Sequence, residues 1–198
     1  MNNPKPYTKY KDSGIQWLGE IPEHWEVRKL KYIFTIIKRI AGELGHKILS
    51  ITQNGIKIKD TESGAGQLSM DYSKYQFVKK GDFAMNHMDL LTGYVDISKF
   101  DGVTSPDYRV FVSKNNLSIN RYLLFLLQLG YKLKLFYSLG QGVSLFGRWR
   151  LPAESFNHFN FPLPPLSEQL AIANFLDYKL SKIDRFIQIG RASCRERV

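Results

Sequence analysis

Cysteine occurs once, at Cys194, which excludes an internal disulfide and any cysteine-rich metal site. Histidine is nearly as scarce, and His24, His46, His87 and His158 are scattered without metal-ligand spacing. No run approaches the ~18 consecutive apolar residues of a spanning helix. The opening Met1-Asn2-Asn3-Pro4-Lys5-Pro6 lacks the apolar centre of a secretion signal, so the expected compartment is the cytoplasm. Enzyme signatures are missing as well. No glycine-rich loop follows a predicted strand with an acidic residue downstream, and no phosphate loop ends in Gly-Lys-Ser/Thr. There is no Asn/Asp-Pro-Pro-aromatic run of the kind amino-methyltransferases use. Pro106-Asp107 opens like a nuclease metal site, but Ser113-Lys114 lacks the carboxylate that should follow. The expectation is a non-catalytic chain that binds neither metal nor cofactor.

Acidic residues are the other shortage. Lys and Arg total 28 against 18 for Asp and Glu, a formal charge of +10, which suits a polyanionic partner such as nucleic acid. At 198 residues and 43% hydrophobic content the chain can bury a core of its own, so disorder is not expected over most of its length.

Residues 1–12 are polar and lysine-rich, and Trp17 and Trp25 anchor an extended, turn-rich stretch containing Gly19 and Pro22. Val27 to Ile40 fits a short helix or a strand. Alternation around Asn54-Gly55 predicts a hairpin with Ile56 and Ile58 on one face and Lys57 and Lys59 on the other. Short strands are predicted within Tyr75–Asn86 and Gly93–Val112, with turns at Lys80-Gly81-Asp82 and Ser105-Pro106-Asp107. Leucine spacing predicts a helix over Ile119–Ser138, followed by a glycine-rich basic loop, Gly140–Arg150. A second helix is expected after Leu166, with Ser167 as cap. In it Ala173, Leu176, Leu180, Ile183 and Ile187 recur at spacings of 3, 4, 3 and 4, a coiled-coil seam with no obvious partner helix in the chain. The apolar period stops at Gln188. Residues 189–198 back-translate as ATC GGA AGA GCG TCG TGT AGG GAA AGA GTG, which looks like a sequencing-adapter oligonucleotide, and are expected to be a non-native tail. Without that stretch, 25 basic residues face 17 acidic ones, so a charge of +8 remains.

Four motifs, in order, carry a family resemblance. Lys11-Asp12-Ser13-Gly14, Trp17-Leu18-Gly19, Ile21-Pro22 and Trp25 resemble the opening of the specificity subunits of type I restriction-modification enzymes. Val78-Lys79-Lys80-Gly81-Asp82 is similar to a strand and turn of that family, and Gly102-Val103-Thr104-Ser105-Pro106-Asp107-Tyr108 to its mid-domain strand. Pro162-Leu163-Pro164-Pro165-Leu166-Ser167-Glu168-Gln169, leading to Ile172 and Phe175-Leu176-Asp177, resembles the passage from a recognition domain into a conserved helix. The resemblance covers nearly all of residues 10–188. It implies an α+β target recognition domain with short mixed or antiparallel strands and packed helices over 1–165. The start of a central coiled-coil helix would occupy 166–188. It also implies double-stranded DNA as ligand and modification and restriction subunits as partners, with S-adenosylmethionine, ATP and Mg on those partners. A second recognition domain, or a second copy through the coiled coil, would complete the assembly.

Lysine and arginine supply affinity that is indifferent to sequence, whereas contacts to base edges supply specificity. Lys38, Arg39, Lys47, Lys57, Lys59, Arg148 and Arg150 are candidates for phosphate contact. Gln53, Asn54, Asn86, His87, Gln141 and Ser144 fall in predicted loops and are candidates for base contact, with Gly140–Arg150 the foremost segment. Two alternatives stay open. One is a stand-alone half-subunit that dimerises through the seam on a palindromic site; the other is a fragment of a fused nuclease or methyltransferase. An RNA-binding module is disfavoured by the lack of an aromatic strand motif.

Overall fold

Strand Arg109–Ser113 is the axis around which the chain is packed. The computed structural model describes residues 6–60, 72–114, 118–142 and 149–195, with side chains as far as 192. In chain order the elements are β1 (Tyr10–Asp12), β2 (Glu20–Pro22), β3 (Glu26–Lys29), α1 (Leu30–Ile33), β4 (Phe34–Ile37), β5 (Leu49–Thr52) and β6 (Gly55–Ile58). They continue with β7 (Gln76–Val78), β8 (Phe83–Met85), β9 (Val95–Ile97), β10 (Gly102–Thr104), β11 (Arg109–Ser113), α2 (Asn120–Lys132), α3 (Ala153–His158), β12 (Asn160–Leu163) and α4 (Leu166–Arg195). One antiparallel sheet runs β4-β11-β8-β9, and four two-stranded ribbons, β1-β2, β3-β12, β5-β6 and β7-β10, surround it. Mixed strand and helix content agrees with the α+β expectation.

The central strands β8 and β11 are buried on both faces, and strand alternation divides their side chains between two cores. Phe83 and Met85 of β8 and Phe111 of β11 enter the larger core, with Leu123, Leu124 and Leu127 of α2 and Phe156 of α3. Ala84 and Val110 point the other way, to Leu49, Ile51 and Ile56 of the β5–β6 hairpin and Val78 of β7. Phe111 is the centre of the larger core. It stacks on Phe83 at 5.3 Å and meets Phe34 and Phe156 at 4.9 and 5.2 Å.

Val27–Ile40 was open between helix and strand; it holds two strands joined by the single turn α1. The expected hairpin forms, with Thr52 facing Gly55, but the two-residue turn is Gln53-Asn54 and Gly55 starts the return strand at φ 92°. A side chain at Gly55 would overlap the Asp96 carboxylate, so glycine is required there twice over. The turn at Lys80-Gly81-Asp82 also forms, with Gly81 at φ 94°. Helix α2 stops at Lys132, six residues short of the expected Ser138. Lys134 adopts φ 55° and the chain doubles back, so that Leu135 N–H bonds the Gly130 carbonyl and the Phe136 ring lies over Gly130. A local leucine pattern cannot register that reversal.

Helix α4 starts at Leu166, so Ser167 lies within its first turn rather than ahead of it. The buried Gln169 binds the helix to the domain: its Oε1 accepts from Ile119 N–H at the start of α2, and its Nε2 donates to the Pro164 carbonyl. The seam finds part of its partner within the chain. Ala173 is buried, and Ile172, Leu176 and Leu180 line a groove of about 330 Å³ with Phe125, Leu126 and Leu129 of α2. Arg121 and Asp177 pair across it at 2.5 Å. Beyond the groove Ile183 is 52% exposed and Phe186 72%, and Ile187 is exposed too. The helical backbone continues past Gln188 to Arg195.

Glu168, in the first turn of α4, holds the amino-terminal motif in place. Its Oε2 accepts from Tyr7 Oη (2.6 Å) and Trp25 Nε1 (2.9 Å), while His24 Nε2 lies 2.6 Å from Oε1. Tyr7 also packs against Tyr10, His24 and Trp25. Burial works to raise the Glu168 carboxyl, but the hydrogen bonds from Tyr7, His24 and Trp25 outweigh it and hold the group below the usual carboxylate range. A carboxyl lowered in the folded state stabilises fully above its unfolded value of about 4.3 and loses that contribution as pH falls through the folded value. Glu168→Gln is therefore expected to lower stability by about 1–2 kcal/mol at pH 7. The difference from wild type should shrink as pH drops below about 4. Urea titrations of both proteins across pH 3–7 check this, and a pH-independent difference would refute it.

Candidate nucleic-acid interface

Strand β8 ends at Met85, and the chain then turns sharply through 86–93. Asn86 N–H bonds the Tyr94 carbonyl and Gly93 N–H the Asp89 carbonyl, closing the turn. The Asp89 carboxylate accepts from Leu91 and Thr92 N–H and from the Thr92 hydroxyl. A Cβ on Gly93 would lie 2.0 Å from the Asp89 carbonyl, so only glycine fits. From below, Tyr131 of α2 donates to the Asn86 carbonyl at 2.6 Å. Burial pushes the Tyr131 hydroxyl above its ordinary range, so it stays a donor.

Two other segments lean on this turn. Gln53, at the hairpin tip, donates to the Thr92 carbonyl at 3.3 Å, and Ile56 N–H bonds the Asp96 carboxylate at 3.1 Å. On the other side Gln141 and Arg150 exchange both backbone hydrogen bonds, at 2.8 and 3.0 Å. Leu151 N–H then bonds the His87 carbonyl and Leu90 N–H the Trp149 carbonyl. Five sequence-predicted residues thus lie in the 86–93 turn or in segments hydrogen-bonded to it: Asn86 and His87 in the turn, half-buried, Gln53 on one side, and Gln141 and Arg150 on the other. Asn54 sits beside them at the exposed hairpin tip, with Lys57 on the outer face of β6. Ser144 and Arg148 lie outside the described residues.

The remaining cations divide. Lys38 is exposed and follows β4, next in register after the Ile37–Val110 pair. Lys47 is exposed at the foot of the hairpin, its carbonyl bonded by Val103 N–H, and Lys59 is half-buried. Arg39 has a structural partner. Its Nη1 lies 2.5 Å from the buried Asp82 carboxylate, which also accepts from Lys79 N–H. That guanidinium is committed to holding the β7–β8 turn, a role its position in a basic stretch did not signal.

Sequence reasoning missed Arg109, the first residue of β11. It is 5% exposed; Nη2 donates to the Leu151 carbonyl at 3.0 Å, and the guanidinium lies 4.9 Å from the Phe156 ring. Burial lowers it to about 10, so it remains charged at neutral pH. Its only trace in the sequence is a cation at the head of an apolar strand. Close by, burial and the charges of Arg109 and Arg150 push His87 down to about 4, with the Met85 carbonyl pulling weakly the other way. Among the described residues no group of three or more His, Cys, Asp or Glu could hold a metal ion, and no helix is long and apolar enough to cross a membrane.

Comparison with known proteins agrees with this architecture. The chain is 28% identical over 194 residues to the type I restriction enzyme MjaX specificity subunit of Methanocaldococcus jannaschii, an alignment covering 87% of this chain and 44% of that protein. The HsdS subunit from Thermoanaerobacter tengcongensis superposes with a TM-score of 0.55 at 15% identity, covering 89% of this chain and 41% of that one. The type I restriction-modification S subunit from M. genitalium gives 0.51 at 16% identity, covering 85% and 43%. The chain spans less than half the length of each of these relatives. Residues 22–189 match the type I restriction modification DNA specificity domain, and the chain belongs to that family.

Proposed function

We propose that the domain binds duplex DNA through the surface built on the 86–93 turn and reads one half of a split site for a type I restriction-modification complex. Chemistry is left to partners on this reading: modification subunits bring S-adenosylmethionine, and restriction subunits bring ATP and Mg. One observation carries the proposal. Exposed Gln53, Asn54, Gln141 and Arg150, drawn from segments up to about a hundred residues apart, are carried on two segments that hydrogen bonds fasten to the same turn. Such bracing gives amide and guanidinium groups the fixed geometry that bidentate base contacts need. Exposed Lys57, on the same hairpin as Gln53 and Asn54, supplies charge.

The test is selection of binding sites from a random duplex library, followed by anisotropy titrations at several salt concentrations. Lys57→Ala should weaken all duplexes alike and reduce the salt slope by about 1, whereas Gln141→Ala should lose about 1–3 kcal/mol of discrimination at one position. Failure to enrich any sequence, with no salt-dependent duplex binding, would overturn the reading. A second reading, the homodimeric half-subunit, is favoured by the exposed stripe Leu180, Ile183 and Ile187. The same selection separates the two. A palindromic consensus bound by two chains identifies the dimer, and an asymmetric half-site bound by one chain identifies the half-subunit.

A further inference from the structure

Among the described residues only two buried side-chain polar atoms lack a hydrogen-bond partner, His87 Nδ1 and Arg109 Nη1. Both belong to groups fastened to the same residue, since Leu151 N–H bonds the His87 carbonyl and the Leu151 carbonyl accepts from Arg109 Nη2. Two orphans on side chains that act on one another are harder to dismiss than two apart, because each carries its own desolvation cost. The charge around them is lopsided. Arg109 forms no ion pair with a carboxylate among the described residues, and the Phe156 ring face compensates only part of a buried guanidinium. Arg150 is close enough to act on His87 and is itself exposed, and the His87 ring is half-buried. Tyr131 of α2 borders Arg109, and Asp89 of the turn acts on Tyr131.

We infer that His87, Arg109 and Arg150 form a site for a phosphate-type oxyanion beneath the 86–93 turn. An anionic oxygen would accept from Arg109 Nη1 and from a protonated His87 Nδ1, and Arg150 would close over it from the solvent side. Both orphan atoms are then satisfied, and the uncompensated positive charge is neutralised. Entry requires the His87 ring or the Arg150 chain to swing aside, since neither orphan atom is open to solvent. Two sources offer this chemistry, a backbone phosphate of bound duplex and free phosphate. The first rests on the DNA-binding reading above, whereas the second does not. Occupancy has a distinctive consequence. An anion against the imidazole favours its charged form, so binding takes up a proton at His87.

The decisive measurement is the titration of the His87 ring by NMR in the protein alone, with inorganic phosphate, and with a duplex that it binds. The free protein should titrate near 4, and an occupied site should raise His87 to about 6 or higher. A rise with both additions, or with duplex alone, supports the site with DNA phosphate as its source. A rise with phosphate alone supports it with the free anion as source. If duplex binds and neither addition moves His87, the site is refuted while the DNA reading stands. If no duplex binds but phosphate moves His87, the DNA reading falls and the site stands. Arg109→Met should abolish the rise. Should that protein not fold, Arg150→Gln, at an exposed position, should reduce the phosphate affinity severalfold, and an unchanged affinity would count against the site.

Discussion

Phe111→Ala is expected to remove about 3–5 kcal/mol of stability, enough to leave a domain of ordinary marginal stability partly unfolded at 37 °C. Phe111 is fully buried at the middle of β11, with β4 on one side and β8 on the other. Its ring stacks on Phe83, meets Phe34 edge to face and lies tilted against Phe156. Truncation thus removes a large transfer term together with three aromatic contacts worth about 0.5–1.5 kcal/mol each. The cavity cannot collapse readily, because its walls are sheet backbone and rings already in contact. Phe111→Leu should recover roughly half of the loss. Urea unfolding checks this: the midpoint should fall sharply at unchanged slope, and a small midpoint shift would mean that the core repacks more freely than its geometry allows.

Arg39→Ala should also destabilise strongly, by about 3 kcal/mol, although Arg39 lies in a basic stretch where a surface charge would ordinarily be dispensable. The cost falls on what is left behind. Asp82 is 7% exposed and would keep only the Lys79 N–H as partner. A buried carboxylate deprived of its cation is far costlier than the pair was beneficial. Asp82→Ala in the same background should therefore restore part of the stability lost, and the double-mutant cycle measures the coupling. The cycle also separates structure from function. Were Arg39 a phosphate contact alone, its replacement would change the salt slope of DNA binding and leave unfolding untouched.

These two residues mark where the sequence was readable and where it was not. Phe111 stands in the continuous apolar run Val110-Phe111-Val112, the mark of a strand buried on both faces. The 52–55 hairpin, the turn before Phe83 and the start of α4 were legible for the same kind of reason: a turn residue or a proline acts locally. The partners of Arg39, Arg109 and Glu168 are 43, 42 and between 143 and 161 residues away. A charge within a local window does not reveal whether it will meet water, DNA or a distant carboxylate. The seam shows the same limit in milder form. Its spacing was plain, but only the fold shows that α2 takes up Ala173 and Leu176 while Ile183 and Ile187 go uncovered. Of the candidate interface, the loops were legible as loops; their convergence depended on the sheet order and could not be read locally.

The pairing of β3 with β12, and the bonds from Tyr7 and Trp25 to Glu168, join chain positions more than 130 residues apart. Contacts of that span are the slow part of folding, because a long loop must be closed before any of its stabilisation is gained. During synthesis the aromatic side chains of the amino-terminal motif therefore have no docking place until α4 has left the ribosome, many seconds later at about 5–20 residues per second. The clamp that completes the domain is also the interval in which its newly made chain is most exposed to chaperones and proteases.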